Sequence, residues 1–356
     1  MNILDDLKKI EKTDPEGMLS IEEGFYNQLV QARQIALNTD IKRFNKKRFE
    51  GICILGVGGS GFTGDIVKDL ISDEVSIPVE VIKGYSLPAY IKKGWLVVTV
   101  SYSGNTEETL TAADDAINRG CDLLCVCSGG KLEELARSSG YPLIKLPSGI
   151  QPRGASAYLF FSTYILFGRL GIIDIQENDI DRALGLVRKK VSSYRREVDT
   201  QKNFAKVIAS EIGSGIPIIY GTEGILSTIA FRWKCQMNEN SKCPSFYNEF
   251  PELNHNETVG WERCKDISKG FVLIVLRDQE APQRLKLRID TTVELIRKNF
   301  GKVIKVPVEG QTKLEKSLAM MYLGDMASVY LAILNNTDPT PVDKIAKLKE
   351  ELKKLS

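Results

Sequence analysis

The sequence predicts an α/β fold: two tandem doubly wound domains, each a parallel sheet flanked by helices. Three observations predict it. From Gly51 onward, short aliphatic and β-branched runs alternate with glycine-bearing turns and helical segments, the signature of a βαβ series. The runs lack strict polar–apolar alternation, as strands covered on both faces do. The pattern also occurs twice, because GICILGVGGSGFTGDIVKDL at residue 51 is echoed by GIPIIYGTEGILSTIAFRWK at residue 215. At ~100–200 residues per domain, 356 residues suffice for two domains.

Residues 1–50 read as a helical segment, since Ile21, Phe25, Leu29 and Ala32 recur at spacings of three and four. Five strands then follow in GICILGVGG, VEVIKGY, WLVVTVSYSG, DLLCVCSGG and PLIKLPSG. The intervening GDIVKDLISD, TEETLTAADDAINRG and KLEELARSSG carry helical spacing. A helical stretch over about 155–210 closes a first domain at 51–210, and Lys189, Lys190, Arg195 and Arg196 on it read as a solvated face. The second domain spans 211–356. Within it GFVLIVLRDQEAPQRL mirrors GWLVVTVSYSGNTEETL. Its loops have lost their small hydroxyl residues: GGSG has become GTEG, and SYSGNT has become LRDQEA. The halves therefore do different work, and the first keeps the anion chemistry. The aromatic residues Phe246, Tyr247 and Phe250 read as packing. Two C-terminal helices end the chain, the second expected to start at Pro339 or Pro341 with Asp338 or Thr340 as its cap.

Composition excludes several classes of function. Apolar residues make up 43% and charged residues 26%, an ordinary globular balance. Forty-eight basic residues against 46 acidic leave no electrostatic case for a nucleic-acid partner. The single histidine, His255, excludes a histidine-rich metal site. Seven cysteines (Cys53, Cys121, Cys125, Cys127, Cys235, Cys243, Cys264) read as buried free thiols in a reducing cytoplasm. Cys125 and Cys127 share one strand face but lack the second pair a zinc site needs. No apolar run approaching ~18 residues and no signal peptide are read, so no membrane partner is expected.

Gly56-Val57-Gly58-Gly59-Ser60-Gly61 follows a strand and opens a helix, fitting G-x-G-x-x-G. A dinucleotide site would want an acid at the end of the second strand, where Lys83 stands. A better reading pairs this loop with Ser101-Tyr102-Ser103-Gly104-Asn105-Thr106, which ends the third strand. Adjacent strand ends face one crevice, and helix N-termini there offer unpaired N–H groups and partial positive charge. Gly58, Gly59, Ser60, Ser101, Ser103 and Thr106 together suit a phosphate monoester.

GxGGSG followed by SxSGNTEET resembles the sugar isomerase (SIS) phosphosugar-binding domain. With QPRGA, NENSK, ELNHNE and DPTPV in that order, the chain is similar to the bifunctional phosphoglucose/phosphomannose isomerases. The resemblance implies two SIS-type domains and a metal-free, cofactor-free enzyme. Its reaction would interconvert glucose 6-phosphate and mannose 6-phosphate with fructose 6-phosphate. Other SIS phosphosugar isomerases, and a non-catalytic phosphosugar sensor, are the alternative readings.

Aldose–ketose isomerisation needs a base between C1 and C2, a cation near the enediolate oxygens and a group that opens the ring. Glu239 ends a helix, where the macrodipole disfavours negative charge, and where the second domain is expected to face the first. By resemblance it is the base. His255 lies in a polar loop, and an imidazole of ordinary pKa ~6.5 both accepts and donates near neutrality. By resemblance it opens the ring, reaching the site from the partner subunit of a homodimer. Arg153, between Pro152 and Gly154, is by resemblance the enediolate stabiliser. The family's lysine falls on Lys347, with Lys344 its near rival. Thr340 leaves room for either C2 configuration.

Overall fold

The structure is a computed structural model describing residues 2–263, 265–352 and 354. The chain divides into two compact units. The first comprises Gly24–Lys189 with Gly310–Ala319, and the second Met1–Glu23, Lys190–Glu309 and Met320–Ser356. The fold is the α/β arrangement expected, with parallel sheets and flanking helices.

The first half runs α1 (Leu7–Thr13), α2 (Met18–Glu23), α3 (Phe25–Asn38), β1 (Gly51–Leu55), α4 (Gly59–Ile71), β2 (Val79–Ile82), β3 (Trp95–Val100), α5 (Glu107–Asn118), β4 (Asp122–Cys127), α6 (Gly130–Ser139) and β5 (Leu143–Lys145). The predicted helical stretch is three helices: α7 (Ser156–Arg169), α8 (Glu177–Tyr194) and α9 (Phe204–Ile212). The rest comprises β6 (Ile216–Thr222), α10 (Ile225–Glu239), β7 (Phe246–Phe250), α11 (Leu253–Asn256), α12 (Lys265–Ser268), β8 (Phe271–Arg277), α13 (Gln283–Ile296), β9 (Lys302–Pro307), α14 (Lys313–Leu334) and α15 (Asp343–Leu352).

In the first unit the strands stand in the order β2-β1-β3-β4-β5, all parallel. Every residue of β1 and β3 is buried, which explains their continuous apolar runs. Helix α3 is tied to α7, where Arg169 donates to the carbonyls of Ala36 and Thr39 at 2.6 and 2.8 Å. The second unit's sheet has the order β7-β6-β8-β9, again parallel. This is the order of the first four strands of the other sheet, so the sequence repeat is a structural repeat. Its core joins Ile218, Tyr220, Leu273 and Val275 to Val293, Ile296 and Phe300.

Several expectations need correction. Residues 246–250 form the edge strand β7, with Phe246 and Tyr247 exposed. Helix α15 starts at Asp343, and Asp338 accepts from the Thr340 N–H at 2.9 Å, so it closes a turn and caps no helix. Arg196 is not solvated: it donates to both carboxylate oxygens of Glu23, the shortest contact being 2.6 Å. Among the described residues one helix, α14, is long and apolar enough to cross a membrane; 94% of its most apolar window is buried, which makes it a core helix. Cys53, Cys121, Cys125 and Cys127 are buried free thiols, whereas Cys235 and Cys243 are half-buried. Cys264 lies outside the described residues.

Candidate active site

The order β2-β1-β3 makes the carboxyl ends of β1 and β3 a topological switch point, where a doubly wound sheet leaves its ligand crevice. Both glycine- and serine-bearing loops emerge there. Helix α4 begins after Gly58, whose φ of +60° suits glycine, and it has no side-chain cap. Helix α5 begins after Thr106 and also lacks a side-chain cap. Two helix N-termini therefore present first-turn N–H groups at one crevice.

The hydroxyls are wired in one sense. Ser60 Oγ accepts from the Tyr102 N–H at 3.3 Å, which links the two loops. Ser101 Oγ accepts from the Gly104 N–H at 3.1 Å and lies 2.8 Å from Thr106 Oγ1. Ser103 Oγ accepts from the Asn105 N–H at 3.3 Å. A hydroxyl holds one donor and two acceptor sites. Internal bonds use one acceptor site each on Ser60 and Ser103, and the Ser101–Thr106 pair needs one of its two protons. The Ser60 and Ser103 protons and one from the Ser101–Thr106 pair are left to donate to a phosphate oxygen. Ser60 and Ser101 are buried, Thr106 is half-buried and Ser103 is exposed.

Two further contacts shape the crevice. Gly104 has φ +69°, and a Cβ there would sit 1.8 Å from the Gly129 carbonyl oxygen, so the SGN turn packs directly on the end of β4. A Cβ on Gly59 would lie 3.4 Å from the Pro152 carbonyl oxygen and 3.7 Å from Arg153 Cα. The 3-10 turn Pro152–Ala155 thus adjoins the first loop. Arg153 is only 4% exposed, a burial that a surface arginine would not show. The first unit therefore brings Gly58, Gly59, Ser60, Ser101, Ser103, Thr106 and Arg153 around one switch point.

The second unit carries the other residues. Glu239 is the last residue of α10 and half-buried. Along α10, Arg232, Gln236 and Asn240 face α14. Arg232 donates to both oxygens of Asp325 at 2.9 and 2.7 Å, Gln236 to Asp325 at 3.0 Å, and Asn240 to Ser328 Oγ at 2.9 Å. Burial pulls the Arg232 guanidinium down, and the charge and hydrogen bonds of Asp325 outweigh it, so it is held above its ordinary value. This ladder fixes the rotation of α10, hence the direction of its last residue. Thr340 is buried in the turn before α15, and Lys347 and Lys344 are both exposed on that helix.

His255 stands in the single-turn helix α11 instead of a loop, and it is exposed. Its neighbours are pinned. Leu253 is fully buried, and Asn254 donates to Thr292 Oγ1 at 2.7 Å. The Glu257 carboxylate accepts from Tyr220 Oη, Asn248 Nδ2 and Trp261 Nε1. Burial, and then the Glu257 charge, push the Tyr220 phenol well above its ordinary value, which keeps it a donor. The turn therefore displays the imidazole rigidly and outward.

Glu239 and His255 are not brought together. Helix α10 returns from β6 to its parallel neighbour β7, so Glu239 lies at the amino ends of the strands and His255 beyond their carboxyl ends. The five residues of β7 separate those ends by about 16 Å at ~3.3 Å per residue. Sequence reasoning missed two residues here. Lys242, inside NENSK, has φ +50°, which no local pattern announces. Glu257 closes ELNHNE but reads as an ordinary surface acid. Among the described residues no group of three His, Cys, Asp or Glu side chains is placed to hold a metal ion.

Comparison with known proteins bears on these residues. The model of the bacterial phospho-glucose isomerase C-terminal SIS domain matches residues 201–352. The bifunctional phosphoglucose/phosphomannose isomerase of Caldicellulosiruptor bescii is 39% identical, over 93% of this chain and 98% of its own. The D-glucosamine-6-phosphate 4-epimerase of Sulfolobus acidocaldarius is 32% identical, over 85% of this chain and 90% of its own. Among solved structures, the C-terminal domain of glucosamine-fructose-6-phosphate aminotransferase from Francisella tularensis superposes with a TM-score of 0.71. It is 15% identical and covers 91% of this chain and 98% of that one, a likeness of fold alone. The extent and identity of the first match place the chain in a family: it belongs to the bifunctional phosphoglucose/phosphomannose isomerases.

Proposed function

We propose that this chain is an aldose–ketose isomerase that interconverts glucose 6-phosphate and mannose 6-phosphate with fructose 6-phosphate. The observation that carries the substrate class is the wiring of the β1/β3 crevice, whose hydroxyls accept backbone N–H groups internally and keep protons for an anion. The near-neutral chain fits this, because the phosphate is held by hydroxyls and helix ends instead of a basic surface. The functional division proposed is a helical segment at 1–50, a phosphate-binding SIS domain at 51–210 and a second SIS domain at 211–356. The reaction belongs to the reducing cytoplasm, in keeping with six free thiols among the described residues.

In this reading Ser60, Ser101, Ser103 and Thr106, with the Gly58 and Gly59 backbone, hold the phosphate. His255 takes the anomeric hydroxyl proton and returns one to the ring oxygen, opening the pyranose. Glu239 removes the C2 proton of the open aldose and delivers it to C1, while the hydroxyl proton passes from O2 to O1 through the cis-enediolate. Arg153 stabilises that enediolate's charge, and Lys347, with Lys344 as its alternative, supplies a second cation. Thr340 sits by C2, where a small side chain admits both epimers. No metal or cofactor takes part.

The separation of Glu239 from His255 within one unit supports a homodimer in which each copy supplies His255 to its partner's site. A subunit-mixing experiment tests this. Glu239→Gln and His255→Ala variants are each inactive, and unfolded and refolded together they form mixed dimers with one intact site. Recovery to about a quarter of wild-type activity is expected for a two-fold symmetric pair. No recovery in dimers shown by mass to be mixed contradicts the shared site.

The similarity to the 4-epimerase favours one second reading, an enzyme acting on amino-sugar phosphates. Turnover of glucosamine 6-phosphate with none of glucose 6-phosphate selects it.

A further inference from the structure

Glu239 and Thr340 lie in different segments of the second unit, about a hundred residues apart in sequence, and one side chain joins them. Two residues after Asn240 caps α10, Lys242 adopts φ +50°, a left-handed conformation in which a long unbranched residue is uncommon. That backbone turn brings the ammonium back along its own chain. Nζ donates to the Asn240 carbonyl at 3.3 Å, and to the Pro339 carbonyl at 2.8 Å. Asn240 is the residue after Glu239, and Pro339 the residue before Thr340.

Each end is anchored independently of the lysine. Asn240 is fully buried and donates to Ser328 Oγ, and Ser241 Oγ donates to the Ser328 carbonyl at 2.6 Å. On the other side, Asp338 accepts from the Thr340 N–H, so Pro339 is the middle of a closed turn. The ammonium links these two anchored ends. A positive charge at the carboxyl end of α10 also favours the orphan carbonyls there.

We propose that Lys242 is a positioning residue that holds the helix end carrying the isomerisation base in register with the turn that accommodates both C2 epimers. The proposal rests on the reading of Glu239 and Thr340 given above. It assigns Lys242 no contact with substrate. Its ammonium sets where the base stands relative to Thr340, and so acts on proton transfer and epimer choice and leaves phosphate binding to the first unit's loops.

The test compares Lys242→Asn, Lys242→Gly and Lys242→Arg with wild type on glucose 6-phosphate and mannose 6-phosphate. Asparagine tolerates positive φ and glycine adopts it freely, so both remove the ammonium without backbone strain. Arginine keeps a donor for two carbonyls. The expected result is a kcat about tenfold lower for the asparagine and glycine variants. KM stays within about twofold while the mannose-to-glucose ratio moves about threefold, and arginine restores both. A wild-type kcat and epimer ratio in either neutral variant overturns the proposal. So does an arginine variant as impaired as the others, since that marks a general packing defect. Glu239→Gln assayed alongside separates the failures. Full activity there removes the base assignment itself, whereas an inactive Glu239→Gln beside a normal Lys242→Asn removes the positioning role alone.

Discussion

Gly104→Ala puts the packing of the SGN turn to a quantitative test. Holding an L-residue at φ +69° costs about 1–2 kcal/mol. The new methyl would also stand 1.8 Å from the Gly129 carbonyl oxygen and 2.8 Å from its carbon. Restoring an ordinary C···O separation of about 3.3 Å requires the two loops to part by about 1.5 Å, a strain of about 1–3 kcal/mol by the usual cost of overpacking. Together these predict a loss of about 2–5 kcal/mol. Gly171→Ala is the control, because that residue has φ +68° and nothing within 4 Å of an added Cβ. It bears the torsional term alone, about 1–2 kcal/mol. Urea unfolding measures both variants, and KM for glucose 6-phosphate reports the crevice, since parting the β3 and β4 loops displaces Ser101, Ser103 and Thr106 relative to Ser60. Gly104→Ala should be the less stable by at least about 1 kcal/mol and should raise KM about tenfold or more. Equal unfolding midpoints for the two variants, with KM unchanged in both, would refute the reasoning.

Three further outcomes are expected. Asp325→Ala leaves Arg232 buried without its carboxylate and should cost about 3–5 kcal/mol. The pair Arg232→Met with Asp325→Leu should recover most of it, and an equal loss in the double variant contradicts this reading. Asp5 is raised by burial, but the Thr200 hydroxyl and N–H and the Lys206 ammonium outweigh that and hold it below its ordinary value. A depressed carboxyl contributes stability above its unfolded pKa near 3.8 that is lost as pH falls through the folded value. Asp5→Asn should therefore cost about 1–2 kcal/mol at pH 7 and progressively less as pH falls below the unfolded value; a pH-independent difference between the two proteins argues against the assignment. Burial pushes the thiols of Cys53 and Cys125 up to about 12 and that of Cys127 up to about 11. These three should resist iodoacetamide at pH 8 and react once the chain is unfolded. Peptide mapping that finds them labelled in the native protein contradicts their burial.

The strands that carry the crevice were legible because both-face burial leaves an unmistakable aliphatic run, as in Trp95–Val100. β7 was not, since Phe246, Tyr247, Asn248 and Glu249 are exposed or half-buried and an edge strand owes its form to pairing with β6, not to its own composition. The glycine and serine loops were legible for a related reason: few side chains allow a helix N-terminus to meet an anion so closely. Arg196 read as a surface residue because burial of a cation depends on partners distant in sequence. Lys242 was hidden twice over, by a left-handed backbone that lysine does not favour and by a bond to Pro339 across the unit.

In the proposed mechanism one glutamate at the end of α10 moves the proton for both epimers. A coupled assay of the wild-type protein and Glu239→Gln on glucose 6-phosphate and mannose 6-phosphate, each measured after chelator treatment, tests it most directly. The wild type should turn over both sugars and the variant should lose both together by about a hundredfold or more, while still binding a non-isomerisable sugar phosphate as tightly as before. Turnover by the variant at the wild-type rate, or loss for one epimer alone, would contradict it.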